Sequence, residues 1–174
     1  MIVLGVAPGL AKLAYAVLSF RGGSAAEPID CDVLHSTGHS ETAPMWKIGK
    51  SARVHHMIMG VVLDRHPPAA LSIGPPLDPK EPTRHVEPVK SLLMSVAMGL
   101  RARVVTFETE RDLRRSFSRH YGEDMHVGER GLRRAVRCAL ASPLPTKDRR
   151  VMLATATALA GAFEIRSELP ARRK

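Results

Sequence analysis

The chain has 174 residues, 44% hydrophobic and 25% charged, a balance that excludes a mainly disordered or fibrous protein and suffices for a core without disulfides. Lys and Arg number 26 against 17 Asp and Glu, a net charge of +9 that favours polyanionic partners, nucleic acid before an acidic membrane surface. The longest strongly apolar stretch, 151–163, is too short to span a membrane, the start has no basic leader pattern, and Cys31 and Cys138 form no CxxC pair; a cytoplasmic protein with free thiols, no structural zinc and no membrane partner is expected.

Residues 2–7 (IVLGVA) run into Pro8-Gly9, the pattern of a buried strand and its exit turn. Residues 14–20 predict a second strand closed by Arg21-Gly22-Gly23-Ser24, and 32–38 a third, so three antiparallel strands come first. Met45, Ile48, Ala52, Met59 and Val62 recur at helical spacing from Pro44 to about Arg65, with Trp46 as a core residue, and Pro67-Pro68 stops the helix. Residues 69–73 predict a fourth strand, closed by Gly74-Pro75-Pro76. Prolines at 75, 76, 79, 82 and 88 predict a loop over 74–88. Helical periodicity then covers 86–100, and 103–107 reads as a fifth strand. The region 109–164 reads as helices with a loop near Gly122 and a break at 143–145. The order βββαβαβααα predicts an α/β fold, a five-stranded mixed sheet flanked by helices. One domain is expected over 1–166, followed by a basic tail at 167–174.

Basic residues cluster late in the chain. Arg111, Arg114, Arg115 and Arg119 recur at helical spacing, and so do Arg130, Arg133, Arg134 and Arg137. Two arginine-lined helix faces are therefore expected, and the planar guanidinium fork suits phosphate. A solvated helix face is the plainer alternative, but it usually mixes both signs of charge. Aromatic residues are few here, which favours a surface that tracks the backbone over a platform that stacks bases. The adjacent His55 and His56 point apart on a helix and make a poor metal pair.

The opening Val3-Leu4-Gly5-Val6-Ala7-Pro8-Gly9, with Ala14-Tyr15-Ala16-Val17 after it, resembles the first hairpin of the RuvC family of Holliday junction resolvases. The likeness extends over nearly the whole chain. PPAALSIG at 67–74 looks like the family's fourth strand, RDLR at 111–114 like the stretch after its fifth, and DRRVMLATA at 148–156 like its final helix. The resemblance implies an RNase H-like fold and a role in DNA recombination or repair, with homodimer formation through the helix at 86–100, whose Met94 and Met98 lie beyond the apolar stripe. It also implies four carboxylates holding two Mg²⁺ ions about 3.5–4 Å apart.

At the matching positions stand Ala7, Gly74 and Val151, and only Asp148 remains acidic. Magnesium needs hard oxygen ligands, which apolar residues cannot supply. Asp148 also suits a helix start. Asp30, Asp32, Asp64, Asp78, Glu108 and Glu110 are further carboxylates, and Glu108 with Asp148 is the candidate metal set. The family lysines that assist cleavage correspond to Arg114 and Arg130, which keep a phosphate contact but cannot donate a proton at neutral pH. The pattern reads as a pseudoenzyme, a pseudo-resolvase dimer that binds branched DNA such as Holliday junctions by shape and phosphate contacts and needs no cofactor. Two alternatives stay open: a structure-specific endonuclease with displaced ligands, using Mg²⁺ or Mn²⁺, and a protein-interaction module that has lost DNA.

Overall fold

The computed structural model describes residues 1–9, 11–21, 25–35, 45–78, 80, 83–121 and 128–168. The side chain of Trp46, the turn at 22–24, the loop near Gly122 and the tail from residue 169 lie outside the described residues. The elements run β1 (Ile2–Ala7), β2 (Lys12–Ser19), β3 (Glu27–His35), α1 (Met45–Arg65), β4 (Ala70–Ile73), α2 (Thr83–Gly99), β5 (Arg103–Thr106), α3 (Glu110–Tyr121), α4 (Gly128–Ala139) and α5 (Arg149–Glu168). The strands form one mixed sheet in the order β3-β2-β1-β4-β5. β1, β2 and β3 pair antiparallel, and β4 and β5 add in parallel on the other side of β1. Parallel neighbours need crossovers, and α1 and α2 supply them. Among the described residues no helix is long and apolar enough to cross a membrane.

The period-2 alternation of the strands sorts large and small residues onto opposite faces. Leu4, Val6, Leu13, Tyr15, Val17, Leu71 and Ile73 form a core with α1 and α2. Val3, Ala7, Ala14, Ala16 and Ala70 form the other, with α5 and, beyond it, α3 and α4. The small-residue face lets α5 approach to backbone distance. A Cβ on Gly5 would overlap the Ala154 carbonyl oxygen and lie 2.6 Å from the Ala158 nitrogen, and one on Gly161 would overlap Ser72 Oγ. The buried Ser72 hydroxyl donates to the Thr157 carbonyl at 2.8 Å, so the contact satisfies its polar group. Ser72 lies beside Gly161 and Gly74 beside Thr157, so α5 runs against the direction of β4. Its N-terminus therefore sits beyond the C-terminal ends of β1 and β4.

Two boundaries differ from the sequence expectation. The strand expected at 32–38 is Glu27–His35, because β2 pairs along its whole length, from Lys12 opposite His35 to Ser19 opposite Glu27. Pro28 is tolerated there because β3 is an edge strand. The loop expected over 74–88 is helical from Thr83. Pro88 sits in the second turn of α2, where its missing donor removes a single helical bond. Burial of Val86, Val89, Leu93 and Ala97 along one face outweighs that loss.

Candidate nucleic-acid interface

The C-terminal edge of the sheet gathers the exits of β1, β4 and β5 with the start of α5. The Gly74 amide donates to the Val6 carbonyl at 2.7 Å, the Leu77 amide to the Pro8 carbonyl at 2.9 Å, and the Phe107 amide to the Ile73 carbonyl at 2.8 Å. Ala7, Gly74 and Val151 are buried, and Asp148, at the start of α5, is half-buried. Ala7 and Gly74 end neighbouring strands, Gly74 lying against Thr157 of α5, while Val151 and Asp148 belong to the first turn and cap of that helix.

Those positions do not fit a two-metal centre. A Cβ on Gly74 would overlap Thr157 Oγ1 and lie 3.2 Å from both Thr157 Cγ2 and the Val6 carbonyl oxygen. The Gly74 backbone is outside the left-handed region, so space alone selects glycine. Thr157 cannot step aside freely, because its hydroxyl donates to the Leu153 carbonyl at 2.8 Å in a fully buried site. Asp148 caps α5: its Oδ1 accepts from the Arg150 amide at 2.8 Å and from Arg150 Nε at 2.9 Å, while its Oδ2 accepts from Arg150 Nη2. The Arg150 guanidinium, then the Arg150 amide and the charge of Lys12, pull the Asp148 pKa down to about 2 against a burial effect in the other direction. Among the described residues no three His, Cys, Asp or Glu side chains come together to hold a metal.

Neighbouring carboxylates are also committed. Glu108 accepts from Lys90 Nζ at 2.8 Å across from α2. Glu110 is shared by Arg114, at 3.0 Å, and Arg149, at 3.3 Å, and so ties the start of α3 to the start of α5. Thr109 and Asp112 cap α3 reciprocally: the Thr109 hydroxyl donates to Asp112 Oδ2 at 2.7 Å and accepts the Asp112 amide at 3.1 Å. Asp30 lies 3.3 Å from the Tyr15 hydroxyl and 3.7 Å from His66, on the opposite edge of the sheet. Asp32, Asp64 and Asp78 are exposed, Asp78 next to Leu77 at this edge.

Both arginine-rich segments are helical, and each packs against α5. In α3 the buried face is Leu113, Ser116 and Phe117, which leaves Arg111, Arg115 and Arg119 exposed and Arg114 half-buried against Glu110. Arg119 also approaches Glu164 at 3.7 Å. In α4 the buried face is Leu132, Ala135, Val136 and Ala139, so Arg130, Arg133, Arg134 and Arg137 all face outward. Helix α3 runs alongside α5, since its start meets Arg149 and its end meets Glu164.

Sequence periodicity misses Lys12, Arg149 and Arg150, which stand at the vacated edge. A signal was available: α5 has no acidic residue in its first turn and begins with two arginines. Cations there oppose the helix dipole, by about 0.3–1 kcal/mol each at an exposed site. Asp148 and Glu110 offset part of that repulsion. Thr157, the residue that closes the Gly74 position, carries no sequence signal at all.

No family model matches the chain, and no curated protein matches it by sequence. Solved structures do match by shape. Thermus thermophilus RuvC aligns with a TM-score of 0.76 at 19% identity, over 96% of this chain and 96% of that one. The same protein in complex with a Holliday junction substrate gives 0.74 at 18% identity, over 97% of each chain. The yeast mitochondrial Holliday junction resolvase gives 0.63 at 10% identity, over 95% of this chain and 80% of that one. The chain has the RuvC-like, RNase H-like fold, a five-stranded mixed sheet with flanking helices.

Proposed function

We propose that this chain binds branched DNA, such as a Holliday junction, by shape and phosphate contacts and does not cleave it. The observation that carries this reading is the exchange at the C-terminal sheet edge. Positions that the resemblance assigns to carboxylates are apolar and sealed, and the surviving Asp148 is neutralised by Arg150. Lys12 and Arg149 stand near Asp148 and the start of α5, and outward arginines line α3 and α4. Such a surface attracts phosphate by charge and by the forked geometry of arginine. The solved structure bound to a Holliday junction supports branched DNA as the ligand class.

The protein would act as one domain over 1–166 and as a homodimer. Exposed apolar side chains on two neighbouring helices support the dimer: Met57 and Val61 on α1, Met94 and Met98 on α2. A two-fold protein suits a two-fold junction.

A gel shift of a labelled four-way junction against excess unlabelled duplex tests the reading. A junction complex that survives the competitor is expected, together with intact junction strands after incubation in Mg²⁺ or Mn²⁺. Complete loss to duplex would leave a generic basic surface and sink shape recognition. Metal-dependent nicking abolished by Glu108→Ala would replace the reading with an endonuclease that uses displaced ligands.

A further inference from the structure

A second surface feature lies between α4 and the segment that leads into α5. It is a cleft of about 140 Å³ with aliphatic walls: Val136, Leu140, Pro143, Leu144 and Met152. Its rim carries Arg133, Arg137 and Lys147, and among the described residues no acidic side chain lines it. The carboxylate that follows Lys147, Asp148, is held by Arg150.

Phosphate binding explains the rim but not the floor. A DNA backbone needs cations and gains nothing from an aliphatic recess. A nucleobase would seek an aromatic face or hydrogen-bonding groups at its edges. Among the described residues the cleft offers no aromatic ring, and Thr146 is its one uncharged polar side chain. The chain's own C-terminal end, Ala171-Arg172-Arg173-Lys174, is basic, and a cationic rim repels it. A second copy would bring the same cationic rim to a two-fold contact at this cleft, whereas the exposed methionines of α1 and α2 offer it an uncharged face.

We infer that this cleft docks an acidic peptide segment of a partner protein, with one bulky apolar side chain seated in the recess and flanking carboxylates on Arg137 and Lys147. The apolar residue supplies affinity by leaving water, and the carboxylates supply orientation and on-rate. The role is separate from DNA binding, although Arg133 and Arg137 border both surfaces.

Fluorescence anisotropy of the full chain with a labelled peptide, four aspartates followed by Leu-Phe, tests the inference without DNA, so its outcome is independent of the junction assay. A Kd of about 10–100 µM is expected for so small a contact. Replacing Leu-Phe by Ala-Ala, or the aspartates by asparagines, should each weaken binding about tenfold or more. Leu144→Asp in the wall and Lys147→Glu on the exposed rim should each do the same, the second without disturbing buried packing. Equal binding of the Ala-Ala peptide would reduce the cleft to part of a generic cationic surface and overturn the inference. So would binding untouched by both variants, or no binding of the parent peptide at all.

Discussion

Asp148 carries two jobs in this chain, and both are structural in geometry. It caps α5 through the Arg150 amide, and it grips the Arg150 guanidinium with both oxygens. Replacing it with alanine should lower stability by about 1 kcal/mol at neutral pH, the usual loss for a helix cap. The pH dependence follows from its pKa, drawn from 3.8 down to about 2. A carboxyl depressed in the folded state contributes fully above its unfolded pKa and loses that contribution as it is protonated through the folded value. The difference between the parent and Asp148→Ala should therefore persist down to about pH 4 and shrink between about 4 and 2. Denaturant unfolding at a series of pH values measures it, and a gap that stayed constant to pH 2 would contradict the assigned ion pair. Asp148 was legible as a candidate helix start. Its clamp by the residue two positions on was not, because a side chain's partner depends on rotamer and neighbours.

At the scale of elements, the fold turns on how closely α5 lies on β1 and β4. Three small residues set that distance, Gly5 and Ser72 on the sheet and Gly161 on the helix. They do not set it equally. The atoms facing a Cβ on Gly5 are backbone atoms of Ala154 and Ala158, whereas Gly161 faces the Ser72 side chain. Gly5→Ala should therefore cost about 1–3 kcal/mol or more through overpacking. Gly161→Ala meets Ser72 Cβ at 2.6 Å, which rotation of that side chain does not relieve, but alanine gains about 1 kcal/mol of helix propensity over glycine, so the net loss should be smaller. Thermal unfolding of both variants checks the ranking, and equal losses would argue against a backbone-close seam at Gly5. The same seam holds Thr157 over Gly74, so the closure of the vacated edge is a consequence of helix packing. Alternation along the strands was readable from the sequence, but the depth to which α5 settles was not. The start of α2 was hidden for a different reason, since proline at 88 signals a loop locally while burial of one helical face decides the outcome.

For the whole molecule, the charge and the apolar surface divide between opposite sides of the sheet. The arginine faces belong to the α3, α4 and α5 side. The exposed methionines belong to the α1 and α2 side, with Met98 76% exposed and Met57 71% exposed. Large exposed apolar side chains gathered on one side of a charged protein mark a contact surface more often than chance. If that surface joins two copies, Met98→Asp should convert a dimer to a monomer in sedimentation velocity. Its thermal stability at low protein concentration should stay within about 0.5 kcal/mol, the range for surface changes. A monomeric parent, or a variant that remains dimeric, would exclude α2 as the dimer surface.

The sequence by itself determined the class of fold, the count and order of strands, and the helical spacing of the late arginines. These follow from local rules: alternation at period 2, recurrence near 3.6, and turns at Gly and Pro. It also marked Ala7, Gly74, Val151 and Asp148 as one set, through resemblance along the chain. Only the tertiary structure decided that Thr157 fills the space beside Gly74, that Arg150 occupies both oxygens of Asp148, and that an aliphatic cleft opens beneath the arginines of α4. Each of these joins residues whose separation in space is set by how a helix seats on a sheet, and that distance depends on packing summed over many small contacts.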